Sequence, residues 1–334
     1  MNTFVFAFNA ITPIILVIAF GYFLKRIRFF DDYFFSGLNK YIFRIGLPAL
    51  LFYNIYSIDN FSEIDWLIIG YAVSGIVAIF IIGLFIVPLI TKQDLQKGVL
   101  LQSLFRSNFA ILGIPLAGAI GGPNALSVVA LVAAFVIPVM NILGIIALII
   151  YQKDDTGGHI KISTLLIKVI KNPLIMGVYF GLIVLFLRSF IPVENGELVF
   201  SIKNQLSFFY QPLIWISQTA SPLALIALGG QFEFLGGKAA FKEITIGVIL
   251  RNVLIPVILL GLALEINSYY PNMSSAYPAL IALFASPVAI SSVVMAYEMG
   301  QDYKFANQLV VWSTILSIAT LFFTIVVFRS IGAL

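Results

Sequence analysis

Long apolar stretches, separated by short polar connections, run along almost the entire chain. A helix needs roughly 20 consecutive apolar residues to cross the hydrocarbon core of a bilayer. A transmembrane β-barrel would instead show short segments in which apolar and polar residues alternate. The pattern therefore predicts an all-α polytopic membrane protein with ten transmembrane helices. We expect these helices at residues 4–24, 33–56, 65–90, 98–120, 123–151, 171–190, 204–232, 243–265, 275–298 and 303–330.

The second predicted span differs from the others because Lys40 and Arg44 lie in its first half. Long cationic side chains near a helix end can keep their charged groups at the membrane surface. We therefore expect this span to begin as an amphipathic turn at the interface, with both cations directed toward lipid headgroups.

Composition supports the same class of protein. Of the 334 residues, 61% are hydrophobic and 10% are charged, whereas soluble domains are about half apolar and about a quarter charged. The chain contains no cysteine, which excludes disulfides, thiolate metal sites and cysteine catalysis. The net charge of +4 resides in connections between spans, where basic residues act as topology signals. We expect no nucleic-acid partner and no cofactor.

Lysine and arginine are distributed unequally between the two sets of connections. Loops after the odd-numbered spans hold most of them, whereas the opposite side holds Arg188, Lys203 and Arg329. Because cytoplasmic loops are enriched in these residues, we expect a multi-pass protein of the cell membrane with both termini on the non-cytoplasmic side. The residues assigned to the cytoplasm are Lys25, Arg26, Arg28, Lys92, Lys97, Lys153, Lys161, Lys168, Lys171, Lys238, Lys242 and Lys304.

Proline positions indicate an internal repeat. Three prolines in the first half recur in the same order, at similar spacing, in the second half. Five spans in each repeat would invert the second copy, because an odd number of crossings changes the side on which it begins. We expect a first five-helix repeat at 1–151, a cytoplasmic linker at 152–163 and a second, inverted repeat at 164–334. The matched pairs are Pro13 with Pro173, Pro48 with Pro222, and Pro115 with Pro287.

Spans four and nine contain prolines that can interrupt a helix: Pro115, preceded by Gly113, and Pro287. Proline lacks a backbone donor and clashes with the preceding turn, and unpaired backbone groups are costly in hydrocarbon. A break can persist where it lines a polar cavity, and the half-helix that follows begins with about half a positive charge. Two such ends meeting at the bilayer centre would bind an anion, above all a carboxylate. A proline kink without function is the alternative.

Polar residues near both breaks complete the predicted substrate site. Arg106 could bind an acidic substrate through two parallel hydrogen bonds, form a structural ion pair, or extend to the interface. Asn108 and Asn141 could bind substrate or join neighbouring helices, and the serines could bind substrate or bond to their own helix. The predicted substrate-binding set is Arg106, Asn108, Gly113, Pro115, Asn141, Ser286, Pro287, Ser291 and Ser292.

Three further ionisable residues need an interpretation. Glu298, at the end of span nine, is either a candidate carrier of a coupling proton or cation, or a helix-end residue paired with Lys304. Arg251, in span eight, is expected to stabilise packing or to form an ion pair. His159 is interpreted as an inert residue of a cytoplasmic loop.

Three segments form recognisable motifs: S-N-F-A-I-L-G-I-P-L (107–116), K-V-I-K-N-P (168–173) and A-S-P-V-A-I-S-S-V-V-M-A-Y-E-M-G (285–300). They resemble the auxin efflux carrier family, in particular its bacterial malate/malonate-type permease branch, and the likeness extends from span one to span ten. The resemblance implies a fold like that of the bile acid:sodium symporters, with two inverted repeats of five helices. Helices 1, 2, 6 and 7 would form a scaffold, usually dimeric, and helices 3–5 and 8–10 a mobile transport domain.

The same resemblance implies a site and a class of substrate. Helices 4 and 9 would cross at Pro115 and Pro287, while Asn108 and Glu298 occupy the positions of a family asparagine and a family glutamate. Bacterial members are associated with malate, malonate and similar organic anions. The long cytoplasmic loop that plant members carry after span five is not present here.

Together these observations favour a secondary transporter of small organic anions such as malate, working by an elevator-type movement past the scaffold. A sodium-coupled organic anion symporter, using Glu298 with Asn108, and a channel are the alternatives, and coupling to H+ or Na+ stays open. A membrane-embedded enzyme is disfavoured, because the spans contain no acid pair, cysteine or histidine. The expected partners are the anion, the lipid bilayer and a second copy of the chain.

Overall fold

The computed structural model describes residues 3–57, 65–151, 173–194, 197–230 and 240–334. Within these ranges the chain is almost entirely helical. The predicted linker at 152–163, with His159, and the start of the predicted sixth span lie outside the described residues.

Fourteen α-helices are defined in the described ranges, together with one pair of two-residue strands. The first half contains α1 (Thr3–Arg26), α2 (Asp32–Tyr41), α3 (Leu47–Tyr56), α4 (Trp66–Ile90), α5 (Asp94–Phe105) and α6 (Ile114–Ile150). The second half contains α7 (Pro173–Arg188), β1 (Val193–Glu194), β2 (Glu197–Leu198), α8 (Ile202–Gln205), α9 (Ser207–Gly230), α10 (Phe241–Ile249), α11 (Ile255–Asn267), α12 (Tyr277–Phe284), α13 (Ser291–Glu298) and α14 (Tyr303–Ser330). The strands pair antiparallel, and a 3-10 turn at Pro271–Ala276 leads into α12.

The helices have the composition of a membrane protein. Among the described residues, five helical segments are long and apolar enough to cross a bilayer on their own. The other predicted spans coincide with helices that are shorter, partly undescribed or divided, so ten crossings remain a prediction. The five segments are Trp66–Ile90, Leu131–Ile150, Ser207–Gly230, Phe241–Asn267 and Tyr303–Ser330.

Aspartate side chains begin three of the helices. Asp31 accepts a hydrogen bond from the Phe34 N–H at 2.8 Å at the start of α2. Asp65 and Asp302 act in the same way at α4 and α14. A carboxylate at this position satisfies free N–H groups and complements the positive end of the helix. These caps explain why the polar connections end where they do.

Three π-helical turns interrupt the helices, and a proline follows each at the second position. In a π turn the N–H bonds to the carbonyl five residues back, as Ile114 does with Phe109. The extra residue accommodates proline, which has no N–H and crowds the carbonyl four residues earlier. The turns are Ile42–Gly46, Phe109–Gly113 and Leu250–Leu254, followed by Pro48, Pro115 and Pro256.

This arrangement corrects the predicted position of the first break. Pro115 lies in the first turn of α6 and Gly113 in the π turn before it, so the chain remains helical at both. A second departure occurs at Gly122, whose φ of 67° favours glycine. It separates the part of α6 that belongs to the predicted fourth span from the part that belongs to the fifth.

Two groups of helices pack among themselves. In the first, α1 contacts α9, and α3 contacts both α7 and α9. Glycines bring these backbones together, because a Cβ at Gly229 would lie 1.9 Å from the Ile18 carbonyl oxygen, and one at Gly177 would lie 2.5 Å from that of Pro48. The second group comprises α4, α5, α6, α10 to α14 and the π turns between them. All eight residues of α12 are buried, so the second group is built around this helix.

Candidate functional site at two broken helices

Two helices of the second group are interrupted, and their interruptions touch. Helix α5 ends at Phe105 and α12 ends at Phe284. After each of these helices the backbone is non-helical until the next helix begins. Ser107 and Val288 pair as an isolated antiparallel bridge. The hydrogen bonds of this bridge determine where the helices cross.

The bridge is held by reciprocal backbone hydrogen bonds. The Asn108 N–H donates to the Pro287 carbonyl at 2.8 Å, and the Ala289 N–H donates to the Arg106 carbonyl at 3.0 Å. The expected crossing at Pro115 and Pro287 is therefore wrong for Pro115. The physical reason is that the π turn satisfies the backbone around Pro115, whereas residues 106–108 find their partners in the other broken helix.

Gly113 has a packing role in this structure. A Cβ at Gly113 would lie 2.7 Å from the Phe109 ring and 3.1 Å from the Ala282 carbonyl oxygen. The missing side chain lets the π turn lie directly against α12. Neither Gly113 nor Pro115 lines the cavity described below.

Arg106 is a buried cation at the first break, with only 2% of its surface exposed. One terminal nitrogen donates to the Asn141 Oδ1 at 2.7 Å, and the other contacts the Met295 sulfur. Arg106 forms no ion pair with any residue in the described part of the chain. It therefore neither extends to the interface nor has a carboxylate partner among these residues, contrary to two of its three predicted roles.

Two amide groups beside Arg106 have unused donors. The Nδ2 atoms of Asn108 and Asn141 are buried and have no hydrogen-bond partner among the described residues. The orientation of the Asn141 amide follows from its Oδ1, which accepts from Arg106. A positive guanidinium thus lies beside two amide groups whose N–H donors have no partner among the described residues.

These three side chains line a small cavity of about 30 Å³. Its walls come from the first break, from Asn141 on α6, from Ala289 and Ser291 beyond the second break, and from Leu47 and Leu51 on α3. Helix α3 belongs to the first packed group, so the cavity lies where the two groups of helices meet. The volume corresponds to about one water molecule.

The remaining predicted residues of span nine are distributed around the second break. Pro287 takes part through its carbonyl, and Ser291 lines the small cavity. Ser286 and Ser292 are buried, and in the described part of the chain their hydroxyl oxygens have no hydrogen-bond partner. Neither of these two serines lines the cavity.

Glu298 lies apart from this site. It is exposed at the end of α13 and lines a second, much larger cavity of about 1370 Å³. Asn108 lines the small cavity instead, so the two do not share a cavity as the sodium-coupled alternative requires. Lys304 lines the same large cavity as Glu298, but the two form no ion pair.

The large cavity is lined by one face of α2 and of the π turn that follows it. Lys40 and Arg44 belong to this face, so their charges border the cavity. The sequence predicts only that both cations are directed toward lipid headgroups, and it does not predict this cavity. Other lining residues come from α1, α3, α7, α13 and α14. Lys25 pairs with Asp32 at 2.9 Å at one side of it.

Sequence reasoning missed several residues that hold the site together. Ser107 forms the bridge, and Met295 contacts Arg106 from α13. Arg251 was assigned to packing or an ion pair, but it donates hydrogen bonds to backbone carbonyls of both broken helices. A charged residue inside an apolar span was the signal for Arg251, whereas nothing in the local sequence distinguished Met295.

Comparison with known proteins gives a family. A family model described as a membrane transport protein matches residues 6–325. The lysosomal cholesterol signaling protein of Mus musculus is 25% identical over 326 residues, which cover 93% of this chain and 36% of the mouse protein. The chain thus spans about a third of that relative's length. Because the family match covers nearly the whole chain, this protein belongs to the membrane transport proteins of the auxin efflux carrier family.

Proposed function

We propose that this protein is a secondary transporter of small organic anions, which bind by a carboxylate group at the crossing of the two broken helices. The observation that carries the proposal is Arg106, a buried cation without a carboxylate partner among the described residues. A buried charge that lacks a counter-ion is costly. An anionic substrate would supply the missing negative charge.

The surrounding groups support a carboxylate in particular. The Nδ2 atoms of Asn108 and Asn141, which have no partner among the residues that the structure describes, would be satisfied by carboxylate oxygens, and buried donors without acceptors are costly. The helix that begins at Phe109 has Asn108 at its N-cap position without a side-chain cap, so its free N–H groups favour an anion. Malate, malonate and similar anions, which the family resemblance implies, fit this chemistry.

The size of the cavity supports a transporter that must move. A space of about 30 Å³ holds about one water molecule, so a dicarboxylate requires the walls to separate. Leu47 and Leu51 of α3 form the wall that belongs to the first helix group. We propose that this group is the scaffold and that the second group is the transport domain, which moves past it in an elevator-type cycle.

The packing also supports two inverted repeats of five spans. In such an arrangement span one corresponds to span six, and span two to span seven. The contact between α1 and α9 then corresponds to the contact between α7 and α3, and both are observed. The bridge at Ser107 and Val288, with its two reciprocal hydrogen bonds, would lie on the axis that relates the repeats.

The large cavity fits the role of an aqueous vestibule. Lys40, Arg44 and Lys304 line it, and these cations would attract anions toward the crossing. By the distribution of basic residues, this vestibule would open to the cytoplasm and both termini would lie outside. We further propose that the protein resides in the cell membrane as a homodimer.

Transport by purified protein in liposomes tests the proposal. We expect saturable uptake of labelled malate or malonate, reduced by about 30-fold or more in Arg106→Gln, because truncating one member of a buried charged pair costs about 2–5 kcal/mol. Asn108→Ala should also reduce uptake. The matched control is Asn267→Ala, which removes an amide from the end of α11, away from the cavity.

Two results would contradict the proposal. One is wild-type uptake by Arg106→Gln at every anion concentration. The other is the lack of saturable flux for dicarboxylates, monocarboxylates and indole-3-acetate alike in wild-type liposomes. Cholesterol should be tested as a competitor, since the name of the mouse relative refers to it.

A further inference from the structure

Arg251 is the second buried cation near the crossing, with no exposed surface. It lies in the π turn Leu250–Leu254 and forms no ion pair with any described residue. Unlike Arg106, it donates to backbone oxygens from all three of its nitrogens. Its partners identify a role that neither packing nor substrate binding explains.

Three carbonyl groups from both broken helices accept hydrogen bonds from this guanidinium. Its Nη1 donates to the Leu104 carbonyl at 3.0 Å, near the end of α5. Its Nη2 donates to the carbonyls of Leu283 at 3.0 Å and Ser286 at 2.8 Å, at the end of α12. The Nε donates to Ser286 as well, at 3.1 Å. One cation therefore bridges the C-terminal ends of the two half-helices.

Such helix ends carry a partial negative charge and free carbonyl oxygens. In carriers with discontinuous helices, unwound carbonyls and half-helix C-termini are the groups that coordinate Na+. Here the same kind of oxygen cluster already contains a positive charge that belongs to the chain. An arginine retains its charge at physiological pH. Because it is part of the chain, it cannot be released and rebound during a transport cycle as a free ion can.

We infer that Arg251 is a built-in cation, which occupies the position that a coupling Na+ would take at the ends of α5 and α12, so that transport does not depend on sodium. The consequence for transport rests on the proposed function, whereas the occupancy of the oxygen cluster does not. Without the guanidinium, the carbonyls of Leu104, Leu283 and Ser286 would form a cluster made only of oxygen, which suits a hard cation.

Thermal unfolding of the purified protein tests the inference without any substrate. We expect the wild-type melting temperature to be the same in NaCl as in choline chloride. Arg251→Ala should melt lower in choline chloride and regain about 2 °C or more with saturating Na+, or with guanidinium at concentrations far below denaturing ones. The matched control is Arg44→Ala, which removes an arginine that lines the large cavity and should show no cation dependence.

The inference is overturned if Na+ stabilises the wild type relative to choline, or if no cation restores Arg251→Ala. If this variant does not fold, Arg251→Lys keeps the charge but loses the planar fork, and it should melt lower than the wild type without any gain from Na+. If neither variant folds, the wild-type comparison alone decides.

Failure of the inference and failure of the proposed function remain distinguishable. Malate or malonate added in choline chloride should raise the wild-type melting temperature if the anion site exists. That result is independent of the response to Na+. Uptake into sodium-free liposomes then tests the inference and the proposed function together, because a built-in cation predicts that the anion flux is undiminished without sodium.

Discussion

The guanidinium of Arg106 and the side-chain oxygen of Asn141 form a 2.7 Å hydrogen bond, which joins the first break to the middle of α6. The bond orients both side chains, and the Asn141 Nδ2 has no partner within the ranges that the structure describes. An amide can orient a guanidinium without neutralising it. The positive charge is thus held in place but kept available, which is what reversible binding of an anion requires.

Asn141→Asp tests this relationship directly. The substitution nearly conserves shape but places a carboxylate against Arg106, so an internal ion pair would replace the substrate. We expect malate uptake to fall by about 30-fold or more, while the melting temperature is unchanged or higher. Asn267→Asp is the control for the added charge. Wild-type uptake by Asn141→Asp would show that Arg106 does not bind the anion.

Leu51→Ala tests the position of the cavity wall. Leu51 is 1% exposed and lines the small cavity, so truncation should enlarge the site and destabilise the protein by about 2–5 kcal/mol. We expect the ratio of uptake rates to shift toward bulkier carboxylates. Leu185→Ala removes an equally buried leucine of α7 that does not line this cavity. An identical shift in both variants would contradict the assignment.

The contact between α1 and α9 can be tested with a pair of glycines. Gly229→Ala would place its Cβ 1.9 Å from the Ile18 carbonyl oxygen, so the helices must separate, at a cost of about 1–3 kcal/mol. Gly261→Ala meets no atom within 4 Å and should be neutral, or stabilising by about 0.5–1 kcal/mol. Thermal unfolding in detergent measures both, and equal effects would argue against close packing at Gly229.

Alkaline pH should weaken a contact outside the membrane-spanning segments. The Tyr270 hydroxyl donates to the Asp65 Oδ2 at 2.7 Å, and this hydrogen bond raises the pKa of Tyr270 above its ordinary value of 10.0. A raised pKa in the folded state means that the contribution to stability is complete below the ordinary value and is lost as pH rises through the folded one.

The comparison with Tyr270→Phe measures that contribution. We expect the wild type to melt higher than the variant at neutral pH, and the difference to shrink as pH rises above about 10 and through the raised pKa of Tyr270. Tyr269→Phe removes the neighbouring exposed tyrosine and serves as the control. A difference that does not change with pH would show that ionisation of Tyr270 is not involved.

Much of the architecture could be read from local pattern. In the described part of the chain the predicted spans overlap helices, because the length and apolarity of a run are properties of contiguous residues. The number of crossings stays a prediction. The family was identified from the segments around both breaks, and the model match confirms it. The grouping of Arg106, Asn108 and Asn141 was also predicted, since polar side chains in apolar spans must face one another or a cavity.

The sequence by itself determined that this is a helical membrane protein of a transporter family, with polar groups gathered at two interrupted spans. Only the tertiary structure decided where the interruption falls, because a helix opens where another element supplies hydrogen-bond partners. Pro115 is absorbed by a π turn, whereas residues 106–108 bond to Pro287 and Ala289 across the crossing. The role of Arg251 has the same origin, since the three carbonyls that it binds come from segments distant in the chain.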